Sequence, residues 1–454
     1  MNNKLTIGNA TIYAGNNLDI LPTLPDNSVD SIVCDPPYEL GFMGKTWDAS
    51  GIAYSVELWQ ECLRVLKPGG HLLAFGGTRT WHRLAVAIED AGFEIRDNIA
   101  WLYGSGFPKS HNISKAIDKM VGAEREIITD PKWADKYPNG NGGNHNRGKE
   151  GIYGAIESVL GRPLTTSIPA TDEAKAWDGW GTALKPAHEP IVVARKPVQG
   201  TIAENVLKHG TGALNIDATR IGTDAGWCYP NGAGGNGFHG GVGRDPDGSR
   251  TEPTSSSQGR WPANIILDEY TAELLDQQSG VSKSQGGTNP IKKSIFGLGN
   301  ETLKLAGGFG DTGGASRFFY VAKANKRDRN EGLDELPEIQ TTGGGGTNAE
   351  LDENGYLRTD SAGGKYGSIK AVKQNFHPTV KPTQLMRYLI KLVTPENGIV
   401  LDPFCGSGST GKAAILENKH FIGIELTPEY LPIIAGRLQH ATETMNSKED
   451  DLFE

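Results

Sequence analysis

Asp35-Pro36-Pro37-Tyr38 brings together a carboxylate, a carbonyl held in a fixed direction and an aromatic face. That set suits chemistry on the exocyclic amine of a base. The lone pair of such an amine is delocalised into its ring, so the nitrogen attacks poorly until its N–H groups are held by acceptors. If the Asp35 carboxylate and the Pro36 carbonyl each accept one N–H, the nitrogen is drawn towards a tetrahedral state and its lone pair turns to a methyl donor. Proline suits this role because its ring fixes φ and with it the carbonyl direction. Tyr38 offers a face for stacking a base flipped out of a duplex. Asp35, Pro36, Pro37 and Tyr38 are therefore the candidate catalytic residues.

A second stretch lies near the other end, Asp402-Pro403-Phe404-Cys405-Gly406-Ser407-Gly408. The pattern GxGxxG occurs at Gly232, Gly235, Gly308 and Gly406. Only the last follows an apolar strand, opens a helix and has an acid, Glu425, about 20 residues on at the end of the next strand. Glycines there let backbone approach a nucleotide closely, and the acid accepts hydrogen bonds from ribose hydroxyls. A carboxylate at Asp402 would repel a pyrophosphate. It would suit a ligand carrying an ammonium and a sulfonium, which is S-adenosyl-L-methionine.

These side chains need a scaffold, and the two ends of the chain supply an α/β pattern. Strands are predicted over 28–34, 71–75, 93–101, 399–401 and 420–424, and helices over 54–66, 80–91, 382–393 and 409–417, from apolar residues at periods of two and 3.6. Lys67-Pro68-Gly69-Gly70 is expected to stop helix 54–66 with a turn. Thr427 before Pro428 reads as a helix start with a capping hydroxyl. Between about 104 and 372 periodicity breaks at the glycine-rich stretches 139–154, 226–243, 307–314 and 343–346. Islands survive at 190–194, read as a strand, and at 261–267. The division expected is 1–103 as a catalytic half, 104–372 as an inserted loop-rich target-recognition region with a core strand near 190–195, 373–440 as a donor-binding half and 441–454 as an acidic tail. Asp35 and Gly406 should then meet at strand ends of one sheet, with ~3 to 4 Å between amine and donor methyl.

The 454 residues, 37% hydrophobic, are enough for at least one full core. No long apolar run or signal sequence is read, so a cytoplasmic chain without a membrane span is expected. Cys34, Cys62, Cys228 and Cys405 form no CxxC pair, which argues against structural zinc, so no metal is expected and the thiols are read as small packing groups. The net charge of −9 runs against phosphate binding, but from Val281 to Arg329 nine Lys/Arg face three acids. Trp59, Trp101 and Trp261 are read as core. His188-Glu189 lacks a second histidine at ligand spacing and is expected to serve the fold.

The two motifs resemble the DPPY-type DNA amino-methyltransferases in the β arrangement, with the catalytic motif first, the DNA-reading region second and the donor motif last. The run from Asn375 to Ser409 is similar to that family's donor-binding segment almost throughout. The resemblance implies a Rossmann-like S-adenosylmethionine methyltransferase sheet with permuted motif order and a long inserted DNA-recognition region. It implies that Lys381, Pro382 and Thr383 contact the methionine end, that Asp402, Phe404, Gly406 and Gly408 wrap the donor, and that Glu425 holds the ribose. The family usually has Asp after a glycine before the catalytic motif, where it accepts from the donor's adenine amine. Here Gly15 precedes Asn16, whose side-chain oxygen accepts without charge. Gly106-Phe107-Pro108-Lys109-Ser110 and Lys185 to Pro190 resemble the subset carried by phages and prophages in bacterial cytoplasm. The implied activity is site-specific methylation of adenine N6 in double-stranded DNA by base flipping, with cytosine N4 as the alternative and a DNA-binding regulator with an inactive methylase fold as a third reading. A homodimer is compatible with each, and a restriction partner is left open.

Overall fold

The computed structural model describes residues 4–40, 46–106, 110–129, 165–222, 259–283, 289–290, 304–305, 311–323, 328–337, 339–341 and 371–450. Ten strands among them share one sheet. In chain order these are β1 (Lys4–Ile7), β2 (Ala10–Ala14), β3 (Val29–Cys34), β4 (Leu66–Phe75), β5 (Glu94–Leu102), β6 (His188–Arg195), β7 (Ile265–Asp268), β8 (Tyr320–Ala322), β9 (Ile399–Asp402) and β10 (His420–Glu425). Six helices matter below: α1 (Asn17–Ile20), α2 (Val56–Val65), α3 (Trp81–Asp90), α4 (Thr383–Val393), α5 (Ser409–Leu416) and α6 (Leu431–Asp450).

The strand order is β1-β2-β10-β9-β3-β4-β6-β5-β7-β8. Only β1 and β6 run against the rest. One edge of the sheet therefore collects the carboxyl ends of eight strands and the beginnings of β1 and β6. Ligands of open parallel sheets bind outside such ends, where loops leave the strands.

Burial follows the pleat. β3 is buried along its whole length, as a central parallel strand must be. Its Ile32 and Cys34 join Leu58, Trp59, Cys62, Leu84 and Ile88 on one face, and Val33 joins Leu385, Leu389, Ala413, Phe421 and Leu438 on the other. β4 alternates in the same way, Leu72 and Ala74 against Leu73 and Phe75. Each fully buried Leu or Phe contributes about 1.5–3 kcal/mol through area removed from water. Cys34, Cys62 and Cys405 are buried free thiols, as read from the sequence; Cys228 lies outside the described residues.

Several details differ from the sequence reading. β4 already begins at Leu66, so Lys67 to Gly70 is strand and not a turn, with its pairing to β3 shifted between Val29 and Ser31. Asn205 and Thr211 donate to the Pro68 carbonyl at 2.8 and 2.6 Å and hold that irregular stretch in place. Trp59 is fully buried and Trp101 packs partly buried on the core, but Trp261 is 55% exposed beneath the Arg220 guanidinium. It lies just before β7, outside the strand. Thr427 caps nothing with its hydroxyl; a 3-10 turn at Pro428–Tyr430 leads into α6. That helix continues to Asp450, with Ala441 buried, where an acidic tail is expected from composition.

The chain forms two units, Met1–Gly104 with His188–Glu454, and Ser105–Ala187. The first contains the whole sheet. The second has helices at Ile113–Val121 and Asp172–Ala176 and an antiparallel pair, Ile127–Thr129 with Thr165–Ser167. Its hub is Asp118, which accepts from Arg125, from the Ala170 and Thr171 amides and from the Thr171 hydroxyl. The glycine-rich stretches 139–154, 226–243 and 343–346, the first half of 307–314, and Phe107 to Lys109 lie outside the described residues. No helix among those described is long and apolar enough to cross a membrane.

Candidate active site

Asp35 follows β3 directly, at the edge where the parallel strands end. Its Oδ2 accepts from Lys381 Nζ at 2.6 Å. Its Oδ1 is buried and has no hydrogen-bond partner among the described residues. A buried polar atom without a partner is costly. Lys381 is held by two carboxylates, since Glu189 Oε2 lies 3.2 Å from the same nitrogen. Burial alone would depress the Lys381 ammonium, but Asp35 and Glu189 outweigh it and raise its pKa.

Tyr38 is fixed at both ends. Its hydroxyl donates to Glu189 Oε2 at 2.7 Å, and its carbonyl accepts from the Thr80 hydroxyl at 2.8 Å, at the start of α3. Burial, then Asp35 and Glu189, push the phenol well above its ordinary value, so it stays a donor. Glu39, at φ 54, turns the chain after the motif and accepts from the Gly51 amide at 2.8 Å. Glu189, expected to serve the fold, thus joins Tyr38 and Lys381 beside Asp35. It arrives there because β6 is reversed and begins at this edge, a placement that local sequence does not announce.

The second half of the site lies one strand away. β9 is the parallel neighbour of β3, in register Val400 to Ser31 and Leu401 to Ile32. Asp402 ends β9 and is buried; it accepts from the Thr410 hydroxyl at 2.6 Å and from the Phe404 amide at 2.9 Å. Burial pushes its carboxyl up to about 7, with Asp35 and Glu425 adding to the rise against those two hydrogen bonds. Glu425 ends β10 and accepts from the Gly406 amide at 2.7 Å and the Thr427 amide at 2.8 Å.

Gly406 and Gly408 have φ of 55° and 75°, which a side chain rarely adopts. A Cβ on Gly406 would also lie 3.0 Å from His377 Nε2. Burial brings that imidazole down to about 4, so it is neutral at physiological pH. His377 Nδ1 donates to the Thr379 carbonyl, which leaves Nε2 as an acceptor beside the glycine loop.

Two anchors of the loop escaped the sequence reading. Arg437 on α6 is fully buried and donates to the Ser407 carbonyl at 2.6 Å, to the Ser407 and Ser409 hydroxyls at 3.0 and 3.1 Å, and to the Asp328 carbonyl at 3.3 Å. Asp328 accepts from the Thr383 amide at 2.6 Å, from the Thr383 hydroxyl, and from Lys412 at 3.0 Å. Both polar groups of Thr383 are therefore engaged at the start of α4. Asn16 is exposed and its oxygen caps α1 through the Leu18 amide at 3.0 Å, while its neighbour Asn17 is buried and donates to the Pro403 carbonyl at 3.2 Å. Pro382 precedes α4, and Phe404 tilts against Trp59 with ring centroids 6.2 Å apart. His377 lies within the run from Asn375 to Ser409, whereas Asn17, Asp328 and Arg437 sit in no motif read from the sequence and reach the loop through the fold.

A family model described as DNA methylase matches residues 29–436. Among curated proteins, the Type II methyltransferase M.HindIII of Haemophilus influenzae is 47% identical over 70 residues, 15% of this chain and 23% of its own length. M2.DpnII of Streptococcus pneumoniae is 46% identical over 68 residues, 15% of this chain and 25% of its length. The alignments span about a quarter of those relatives. Of solved structures, the PvuII DNA methyltransferase, described as cytosine-N4-specific, is 13% identical with a TM-score of 0.38, covering 97% of this chain and 93% of that one. A complex of M1.HpyAVI with SAM is 14% identical with a TM-score of 0.33, covering 94% and 99%.

Proposed function

The chain belongs to the N6/N4 DNA methylase family, and from that premise we propose that it transfers a methyl group from S-adenosylmethionine to adenine N6 in duplex DNA. The observation that carries this reading is the unpartnered Asp35 Oδ1. One oxygen of the carboxylate is locked by Lys381, so the other is the acceptor for an N–H of the target amine. The Pro36 carbonyl takes the second N–H, and Tyr38, with its hydroxyl tied to Glu189, presents a fixed ring to a flipped base.

The donor would lie along the loop 402–408. Gly406 and Gly408 give it close backbone approach, Glu425 faces the ribose, and Asp402 meets its ammonium, with Phe404, Asn16, Lys381, Pro382 and Thr383 around it. When bound it supplies an electrophilic methyl on a positively charged sulfur. The amine nitrogen makes the new N–C bond with its lone pair, the C–S electrons stay with sulfur, and the nitrogen sheds a proton to water. Asp35 need not be a strong base for that sequence. It holds the amine and faces the positive charge that arrives on it.

Asp as the first residue of the catalytic motif supports adenine over cytosine, whereas the donor loop serves both amines alike. The test is to incubate the protein with duplex DNA and S-adenosylmethionine, digest to nucleosides and separate them. N6-methyladenine is expected. N4-methylcytosine would move the target to the other base, and neither product, with donor bound, would overturn the reading.

Asp402 gives a pH dependence. Free, its carboxyl titrates at about 7 because it is buried. An ammonium docked beside it favours the ionised form and lowers that pKa, so binding releases a proton near neutrality. Donor affinity is therefore expected to rise as pH increases through about 7, with proton release visible by calorimetry in buffers of different ionisation enthalpy. In Asp402→Asn the release should vanish; an affinity in the native protein flat across this range would separate Asp402 from the ammonium.

A further inference from the structure

We propose that Glu189 is a positioning residue for methyl transfer: it neutralises Lys381, so that Asp35 keeps its negative charge for the target amine. The inference rests on the reading above. Lys381 Nζ is shared by Asp35 Oδ2 at 2.6 Å and Glu189 Oε2 at 3.2 Å, and the same Glu189 oxygen accepts the Tyr38 hydroxyl at 2.7 Å. The three charged side chains are little exposed, 8% for Lys381, 19% for Glu189 and 22% for Asp35, so water screens them weakly.

Two carboxylates and one ammonium leave the cluster at net −1. The reacting partners pass through this place with a positive charge, first on sulfur and then on the target nitrogen. With Lys381 and Asp35 alone the cluster would be neutral, and the ammonium would compete for the carboxylate that the amine needs. Glu189 removes that competition, and through Tyr38 it sets the ring on which the base stacks. The reversed strand β6 makes this arrangement, since Glu189, paired in register with Trp101 of β5, stands at its start.

The test compares the native protein with Glu189→Gln and with the double variant Glu189→Gln/Lys381→Gln on one duplex DNA, measuring kcat, KM for DNA and donor affinity. Glu189→Gln keeps the shape and the acceptor for Tyr38 but not the charge. Its kcat is expected to fall roughly 10- to 100-fold, with donor affinity held, which also certifies the fold. The double variant, with neither charge, should turn over faster than Glu189→Gln alone. The proposal is overturned if Glu189→Gln keeps native kcat, if donor affinity falls in step with kcat, or if the double variant is no faster. Absence of methylated amines with the native protein would instead overturn the function itself, so the two failures are distinct.

Discussion

Asp35→Ala is expected to slow methyl transfer by about a thousandfold, roughly 4 kcal/mol in the barrier, while donor affinity stays within about threefold. The size follows from what the carboxylate does. It supplies the acceptor that draws the amine out of conjugation, and it faces the positive charge as that charge forms. Both effects are felt in the transition state and hardly in donor binding, so the loss should appear in kcat. The variant should fold, because Lys381 is not left alone in the interior: Glu189 remains at 3.2 Å and the Tyr38 hydroxyl also at 3.2 Å. Single-turnover assays on duplex DNA, paired with donor titration, separate the two quantities. Activity within tenfold of native would remove Asp35 from the chemistry.

The second large effect concerns stability. Arg437→Met is expected to cost about 3–5 kcal/mol, because it strands buried acceptors that its guanidinium now satisfies. The hydroxyls of Ser407 and Ser409, 3.3 Å apart, can turn to each other. The carbonyls of Ser407 and Asp328 cannot, and they lie where water does not reach. Burial brings the Arg437 guanidinium down to about 10, still charged at neutral pH. Denaturant unfolding should show a lower midpoint with an unchanged slope, and donor binding should weaken as the glycine loop loosens. A change below about 1 kcal/mol would mean that the loop is held by its own turns.

How legible this site was depended on whether the signal was local. The turn at Asp35 to Tyr38, the glycine loop with Glu425 at the next strand end, and the helix over 383–393 all carry their patterns within a few residues, and the structure brings Asp35 and Gly406 to neighbouring strand ends. Other pieces are products of the fold. β7 falls at the end of the island read at 261–267, but β8 has three residues, too few for an alternation to show. Glu189 reads as a residue that serves the fold until β6 is seen to run backwards. Asp328 and Arg437 meet at the loop from distant parts of the chain, and Trp261 looks like any core aromatic until it is found half exposed.

The site is also closed by a contact of long range, since Asp35 and Lys381 are separated by 346 positions. At about 5–20 residues per second of synthesis, the first half waits roughly 20–70 s for its partner. Until β9 is made, β3 is paired with β4 on one side and bare on the other, an edge that invites foreign strands. Asp30 sits on β3, tied to Lys67 at 2.6 Å, and its second oxygen later takes the Ile399 amide of β9 at 2.8 Å. A carboxylate on that edge discourages a stray apolar strand during translation, and the same group then welcomes the right one.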